Sequence, residues 1–219
     1  MARPRKSENT KEALLETGTA MLASQGYHGT GIKQVLDAVG VPKGSFYNYF
    51  PSKEAFVAGI IQHYGQQIDT ELAQTRVSLG QVPGLILLWC CFQNRVQNKV
   101  QAGQSCACLL GAMSAEIAQA NPLCRKAIES VERRWLENLQ SILQVAQDQG
   151  DLRTDISSES LAPLCYSVWQ GSILQYQVSG DPNDLLKQLR TFLSTLVTQQ
   201  GAQTLSSIKT YSQEIHLDK

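Results

Sequence analysis

Apolar residues recur at helical intervals along almost the whole chain, and the most sharply bounded case is short. Ile32, Val35, Leu36 and Val39 fall at i, i+3, i+4 and i+7, so a helix opened by Thr30 or Gly31 carries one apolar stripe and leaves Lys33, Gln34 and Asp37 outside. Gly40 ends it: the glycine lets the chain turn, Val41 anchors the turn, and Pro42 suits the first position of a second helix running from Lys43 to Phe50. Phe46 and Phe50, four apart, face inward. Ahead of this pair, Ala13, Leu14, Thr17, Met21 and Leu22 predict a bracing helix from Asn9 or Thr10 to about Ser24, stopped at Gly26. Behind it, Pro51 breaks the chain and Ser52 caps a long helix reaching about Arg76, with Phe56, Ile60, Ile61, Tyr64 and Ile68 at helical spacing.

Beyond Gly80 the pattern stays helical. Leu85 to Val100, Ser105 to Ala120, and a long stretch from Pro122 to Gly150 each read as one helix, the last burying Ile128, Val131, Trp135, Leu139, Ile142 and Leu143. Ser157 or Ser158 caps a helix from Leu161 to Val178. Gly180-Asp181-Pro182 then precedes a final helix with Leu185, Leu186, Leu189, Phe192, Leu193, Leu196 and Val197. These last two helices are apolar over a wider arc than one neighbour covers, which suits a four-helix interface between two copies of the chain; the competing reading spends both faces inside one copy. The tail after Gly201 is polar and weakly patterned. The fold class is therefore all-α, with about nine helices.

The outward face of the second short helix carries the chemistry. Lys43, Gly44, Ser45, Tyr47, Asn48 and Tyr49 form a dense row of donors and flat rings, unlike a core helix. A basic residue beside a glycine permits close approach to a phosphate, the small serine allows entry into the major groove, and Asn and Tyr reach base edges or backbone oxygens. The helix start at Ser52 with Lys53 makes an anion site suited to another phosphate. The bland alternative is a helical hairpin with a polar exposed face.

The run from Val41 to Phe56, VPKGSFYNYFPSKEAF, with Gly26-Tyr27 and Thr30 before it, resembles the helix-turn-helix signature of TetR-type transcriptional repressors. The resemblance implies a homodimer that binds double-stranded operator DNA through Thr30, Ser45, Tyr47, Tyr49 and Lys53. Tyr49 stands where a histidine is frequent in the family and keeps a phosphate donor. It also implies residues 1–53 as an N-terminal three-helix DNA-binding domain and residues 54–200 as a larger helical ligand-binding and dimerisation domain, leaving 201–219 as a tail. The long helix from Ser52 is then the mechanical link between reading head and regulatory domain.

Net charge alone is uninformative, because the 19 basic and 19 acidic side chains of the 219 residues balance. Residues 1–53, however, hold seven Lys or Arg against four acids, and the remainder holds twelve against fifteen, as expected if only the front meets a polyanion. The basic N-terminus is not followed by an apolar stretch of signal-peptide length, and no run reaches membrane-spanning length, so a soluble cytoplasmic protein is expected. Residues 1–7 read as a mobile basic arm able to reach phosphate or the minor groove, or as a disordered tail with no role. No phosphate loop, metal-ligand spacing or nucleophile near a histidine appears, so neither catalytic residues nor cofactor nor metal is expected. The rival to a regulator is a helical adaptor that binds only protein.

Six cysteines bear on the signal. Cys90, Cys91, Cys124 and Cys165 read as small hydrophobes in helical cores. Cys106 and Cys108 fall in the first turn of the helix after Gly103, where unpaired N–H groups favour a thiolate. The segment Cys108-Leu109 with Ser114-Ala115-Glu116, and later Trp169, Gly171, Leu174 and Gln175, is similar to the TetR-type subgroup that represses N-ethylmaleimide reductase and senses electrophiles and chlorine species through a cysteine matching Cys108. That subgroup pairs the cysteine with a lysine, and the matching position here is Gln177. The competing expectation is an apolar or aromatic inducer held reversibly by Trp89, Phe92, Met113, Trp169 and Tyr176.

Overall fold

The computed structural model describes residues 6–101 and 108–214, which form ten helices and no strand. The first four are α1 (Lys6–Gly29), α2 (Ile32–Val39), α3 (Lys43–Phe46) and α4 (Lys53–Leu79); then come α5 (Gly84–Gln101), α6 (Leu109–Glu116) and α7 (Pro122–Asp148), and last α8 (Ser158–Ser179), α9 (Pro182–Ser194) and α10 (Gln199–Glu214). The basic arm lies outside the described residues apart from the start of α1. No helix among the described residues is long and apolar enough to cross a membrane.

By packing, the chain divides into two compact units: residues 1–68 with 107–133, and residues 69–106 with 134–219. Two of the boundaries fall inside helices, at Ile68 of α4 and Arg133 of α7. The cause lies in α1, which packs against α6 as well as α2, so a helix remote in sequence joins the first unit. Its core is Leu14, Leu22, Val35, Leu36, Phe46, Phe56, Ile60 and Ile61, all buried. In the second unit α8 packs on α9, and α5 on α9 and α10, around Leu85, Leu88, Trp89, Phe92, Leu143, Leu161, Leu189 and Leu193.

Local caps follow the chemistry of the sequence. Ser157 Oγ accepts from the Ser160 amide, Asp181 from the Asn183 amide, and Asn121 Oδ1 from the Cys124 amide, so α8, α9 and α7 each start on a side-chain acceptor. Two segments depart from expectation. Residues 199–214, read as an unassigned polar tail, form α10: Leu205 and Ile208 are buried, and the Thr198 amide donates to the Asp151 carbonyl at 3.0 Å. Two apolar side chains per helix are too few to signal an amphipathic stripe, and only docking against α5 reveals their use. The helix expected from Lys43 to Phe50 is regular only to Phe46. Residues 47–50 then wind down through Asn48 N–H to Ser45 O (3.2 Å) and Tyr49 N–H to Phe46 O (2.9 Å), a tightened last turn.

Candidate nucleic-acid interface

The reading pair is built from the inside out. The Gly31 amide donates to Gln34 Oε1 at 2.9 Å, closing the start of α2, and Val35 and Leu36 are buried against α1. At its end Gly40 is left-handed (φ 71°) and the Val41 amide reaches back to Leu36 O at 2.9 Å, a bond that fixes the direction in which α3 leaves. Pro42, expected as the first helical residue, is extended (φ −60°, ψ 141°) and flanks α3 as its N-cap. Phe46 is fully buried, with ring centroids 5.7 Å from Phe50 and 5.4 Å from Phe56; Phe50 and Phe56 lie 4.8 Å apart. This aromatic triad anchors α3 to α4.

With the inward positions filled by phenylalanine, the opposite face is presented to solvent. Lys43, Gly44 and Asn48 are exposed, Tyr47 is 59% exposed, and Ser45 and Tyr49 are half-buried. A Cβ at Gly44 would meet nothing within 4 Å, and its φ is not left-handed. Neither the backbone nor the interior requires glycine there.

Around this face two residues make bonds within the chain. Thr30 is 4% exposed and its Oγ1 donates to the Gly26 carbonyl at 2.7 Å, so its side chain closes the break before α2 instead of joining the outward row. Lys53 is half-buried: its Nζ donates to the Tyr27 carbonyl at 3.2 Å and stands 4.3 Å from the centre of the Tyr27 ring. An ammonium carries three donors, so this bond leaves two for an anion. At the same helix start Ser52 Oγ accepts from the Ala55 amide at 3.1 Å, and the Glu54 carboxyl is held below its ordinary range by its own backbone amide and then by Ser52. Burial, followed by the nearby Glu54, pushes the Tyr27 phenol up.

Residues 14–60 match the family described as bacterial regulatory proteins, tetR family, and residues 88–192 match the one described as tetracyclin repressor-like, C-terminal domain. The chain belongs to the TetR family. The HTH-type transcriptional repressor NemR of Escherichia coli (strain K12) is 33% identical over 174 residues, 78% of this chain and 85% of that one. The crystal structure of E. coli NemR in its reduced form covers 87% of this chain and 97% of its own with a TM-score of 0.76 at 26% identity. The HTH-type transcriptional repressor DhaR of Mycobacterium sp. (strain GP1) is 27% identical over 187 residues, 85% of this chain and 92% of that one. This TetR-family protein is thus a DNA-binding transcriptional regulator, not an enzyme, and it is NemR-like.

The expected sensing residues sit apart from that face. Cys108 is buried and stands one position before α6 as its N-cap rather than inside the first turn, because its backbone is extended (φ −89°, ψ 109°) while its carbonyl accepts from the Ala112 amide. Its Sγ lies 4.0 Å from the Tyr64 hydroxyl, which donates to it. Cys106 lies outside the described residues, and Gln177 is exposed on α8. Burial pushes the Cys90 thiol up to about 11 and those of Cys91 and Cys165 to about 12, and raises Cys124, so these four serve as packing.

The residues expected to line a ligand pocket are placed as follows. Phe92 stacks on Trp169 at 5.2 Å, Trp89 Nε1 donates to Gln93 Oε1 at 2.7 Å, and all three rings are buried against neighbouring side chains of the second unit. Tyr176 is half-buried on α8, and Met113 belongs to the first unit. Glu116 and Tyr27, which belong to the two resembling segments but carry no spacing signal of a shared role, meet in the structure: Glu116 Oε2 accepts from the Tyr27 amide at 2.7 Å.

Proposed function

We propose that the protein is a homodimeric repressor that binds a palindromic operator through residues 1–53 and is released when Cys108 reacts with an electrophile or oxidant, residues 54–200 supplying regulation and dimerisation. The observation that carries the DNA contact is the exposed row Lys43, Gly44, Tyr47 and Asn48 held over the Phe46–Phe50–Phe56 anchor. Lys43, Gly44 and Lys53 meet phosphates, and Ser45, Tyr47, Asn48 and Tyr49 meet base edges or backbone. Such chemistry acts on the chromosome, hence in the cytoplasm. Dimerisation through α8 and α9 is supported by Leu164, Leu174 and Val178, which are 50%, 63% and 91% exposed and, with the open Gly171, line one face of α8 at spacings of seven, three and four. Two reading heads about 34 Å apart then enter successive major grooves.

For the signal, Cys108 is favoured because Phe92 and Trp169 of the alternative pocket stack on each other and Trp89 is bonded to Gln93. Its sulfur adds to the electron-poor double bond of a maleimide, the thiol proton ending on the neighbouring carbon. Mobility-shift titrations with the DNA upstream of the protein's own gene, over several salt concentrations, test the docking. Lys53→Ala is expected to weaken all sequences alike and to flatten the salt dependence by about one phosphate contact, while changes at Ser45 or Asn48 alter preference among sequences. Full release of a Cys108→Ser variant by N-ethylmaleimide would eliminate Cys108 as sensor.

A further inference from the structure

Gly26 and Tyr27 lie between the end of the regular α1 helix and the reading pair, and three backbone groups of that turn are bonded by side chains. Gly26 has φ 70° and ψ 179°, a combination open essentially to glycine alone, and a Cβ there would stand 2.5 Å from the Glu116 carboxylate. Its carbonyl accepts from Thr30 Oγ1, and the Tyr27 amide that follows donates to Glu116 Oε2 at 2.7 Å. On its other side the Tyr27 carbonyl accepts from Lys53 Nζ, and the Tyr27 ring lies under the same ammonium. One residue thus joins the last residue of α6 to the cation at the start of α4, entirely within the first unit.

From this geometry we infer that Glu116 is a positioning residue for operator binding: by fixing the Gly26–Tyr27 peptide it places Tyr27, whose carbonyl and ring hold the Lys53 ammonium where it meets the DNA backbone. A carboxylate accepting from an amide makes a charge-assisted bond, stronger and shorter than a neutral one, and here it pins a peptide unit that glycine leaves free to rotate. With Glu116 removed, the Gly26–Tyr27 peptide is held by Thr30 alone, the Tyr27 backbone shifts, and its carbonyl and ring no longer restrain the four-carbon stem of Lys53. Ordering the ammonium on DNA then costs the rotamer freedom that the folded protein had already given up. Because Cys108 caps the other end of α6, eight residues earlier, a shift of that helix reaches Lys53 without passing along α4.

The inference rests on Lys53 contacting phosphate, and a double-mutant cycle on the full-length protein separates the two. Operator affinity and its salt slope are measured for Glu116→Ala, Glu116→Gln, Lys53→Ala and the Glu116→Ala/Lys53→Ala pair, with circular dichroism confirming helical content. Glu116→Ala is expected to lower affinity about tenfold for operator and unrelated duplex alike and to reduce the salt slope toward that of Lys53→Ala. Glu116→Gln keeps an acceptor oxygen and recovers affinity to within about twofold, and the pair is no weaker than Lys53→Ala by more than about twofold. Should the alanine variant lose helical signal, Glu116→Asp, which withdraws the carboxylate by one methylene, carries the same expectation. Additive losses, or a wild-type salt slope in Glu116→Ala, overturn the inference and leave the Lys53 docking standing; wild-type affinity of Lys53→Ala overturns both.

Discussion

At Gly44 a methyl group would enter open space, since no heavy atom lies within 4 Å of where its Cβ would stand, and the backbone there is one that any L-residue adopts. Alanine should therefore raise stability, by about 0.5–1 kcal/mol, through the backbone entropy that glycine loses on folding. If the face meets DNA, the same methyl holds the helix away from the phosphates and weakens operator binding. Thermal melting and mobility shifts on Gly44→Ala are expected to move in opposite directions; a variant that binds as tightly as the parent would argue against this docking face. Gly26 behaves in the other sense, because its φ of 70° and the Glu116 carboxylate both oppose a side chain. The two glycines thus differ: the interior dictates Gly26 and leaves Gly44 unconstrained.

Among whole helices, α5 and α8 bury three thiols whose folded pKa values are pushed up to about 11 or 12 by desolvation. An unfolded cysteine titrates near 8.5, so above that pH the unfolded chain releases protons that the native core retains. The contribution to stability is complete below about pH 8.5 and declines as pH climbs toward the folded values. Denaturant midpoints are expected to be level between about pH 7 and 8 and to fall above about 9, less steeply in a Cys165→Ala variant. An unchanged slope in that variant would mean that Cys165 ionises freely in the fold. The long apolar patterns behind α4, α5, α7, α8 and α9 were legible in the sequence to within a few residues, because each buries a continuous stripe. Helices α3 and α10 were not: α3 is a single turn whose continuation tightens under the pull of Phe50 on Phe56, and α10 owes its place to α5.

For the molecule as a whole, the uncovered residues of α8 decide the oligomeric prediction. Leu164, Leu174 and Val178 share a face with small Gly171, and no part of the described chain covers them. Leu174→Asp with Val178→Asp is expected to leave the monomer folded, because neither side chain serves its core, and to shift sedimentation to the single-chain mass. Operator affinity should fall by about a hundredfold or more as the two half-sites lose their linkage. A charged variant that sediments as a dimer would move the interface away from α8.

Sequence alone determined what depends on short-range periodicity and on chemistry facing outward: the all-α class, the helix-turn-helix with its Phe46 and Phe50 anchors, the cap at Ser52, and the family. These are properties of neighbours three or four residues apart, where helical geometry turns spacing directly into a face. What only the tertiary structure decided involves partners distant along the chain. Thr30 turns inward to the Gly26 carbonyl, Phe92 stacks on Trp169, and Glu116 reaches the Tyr27 amide across 89 positions. A backbone N–H or carbonyl looks the same at every residue of a sequence, so which one a distant side chain will satisfy is settled only when packing brings them together.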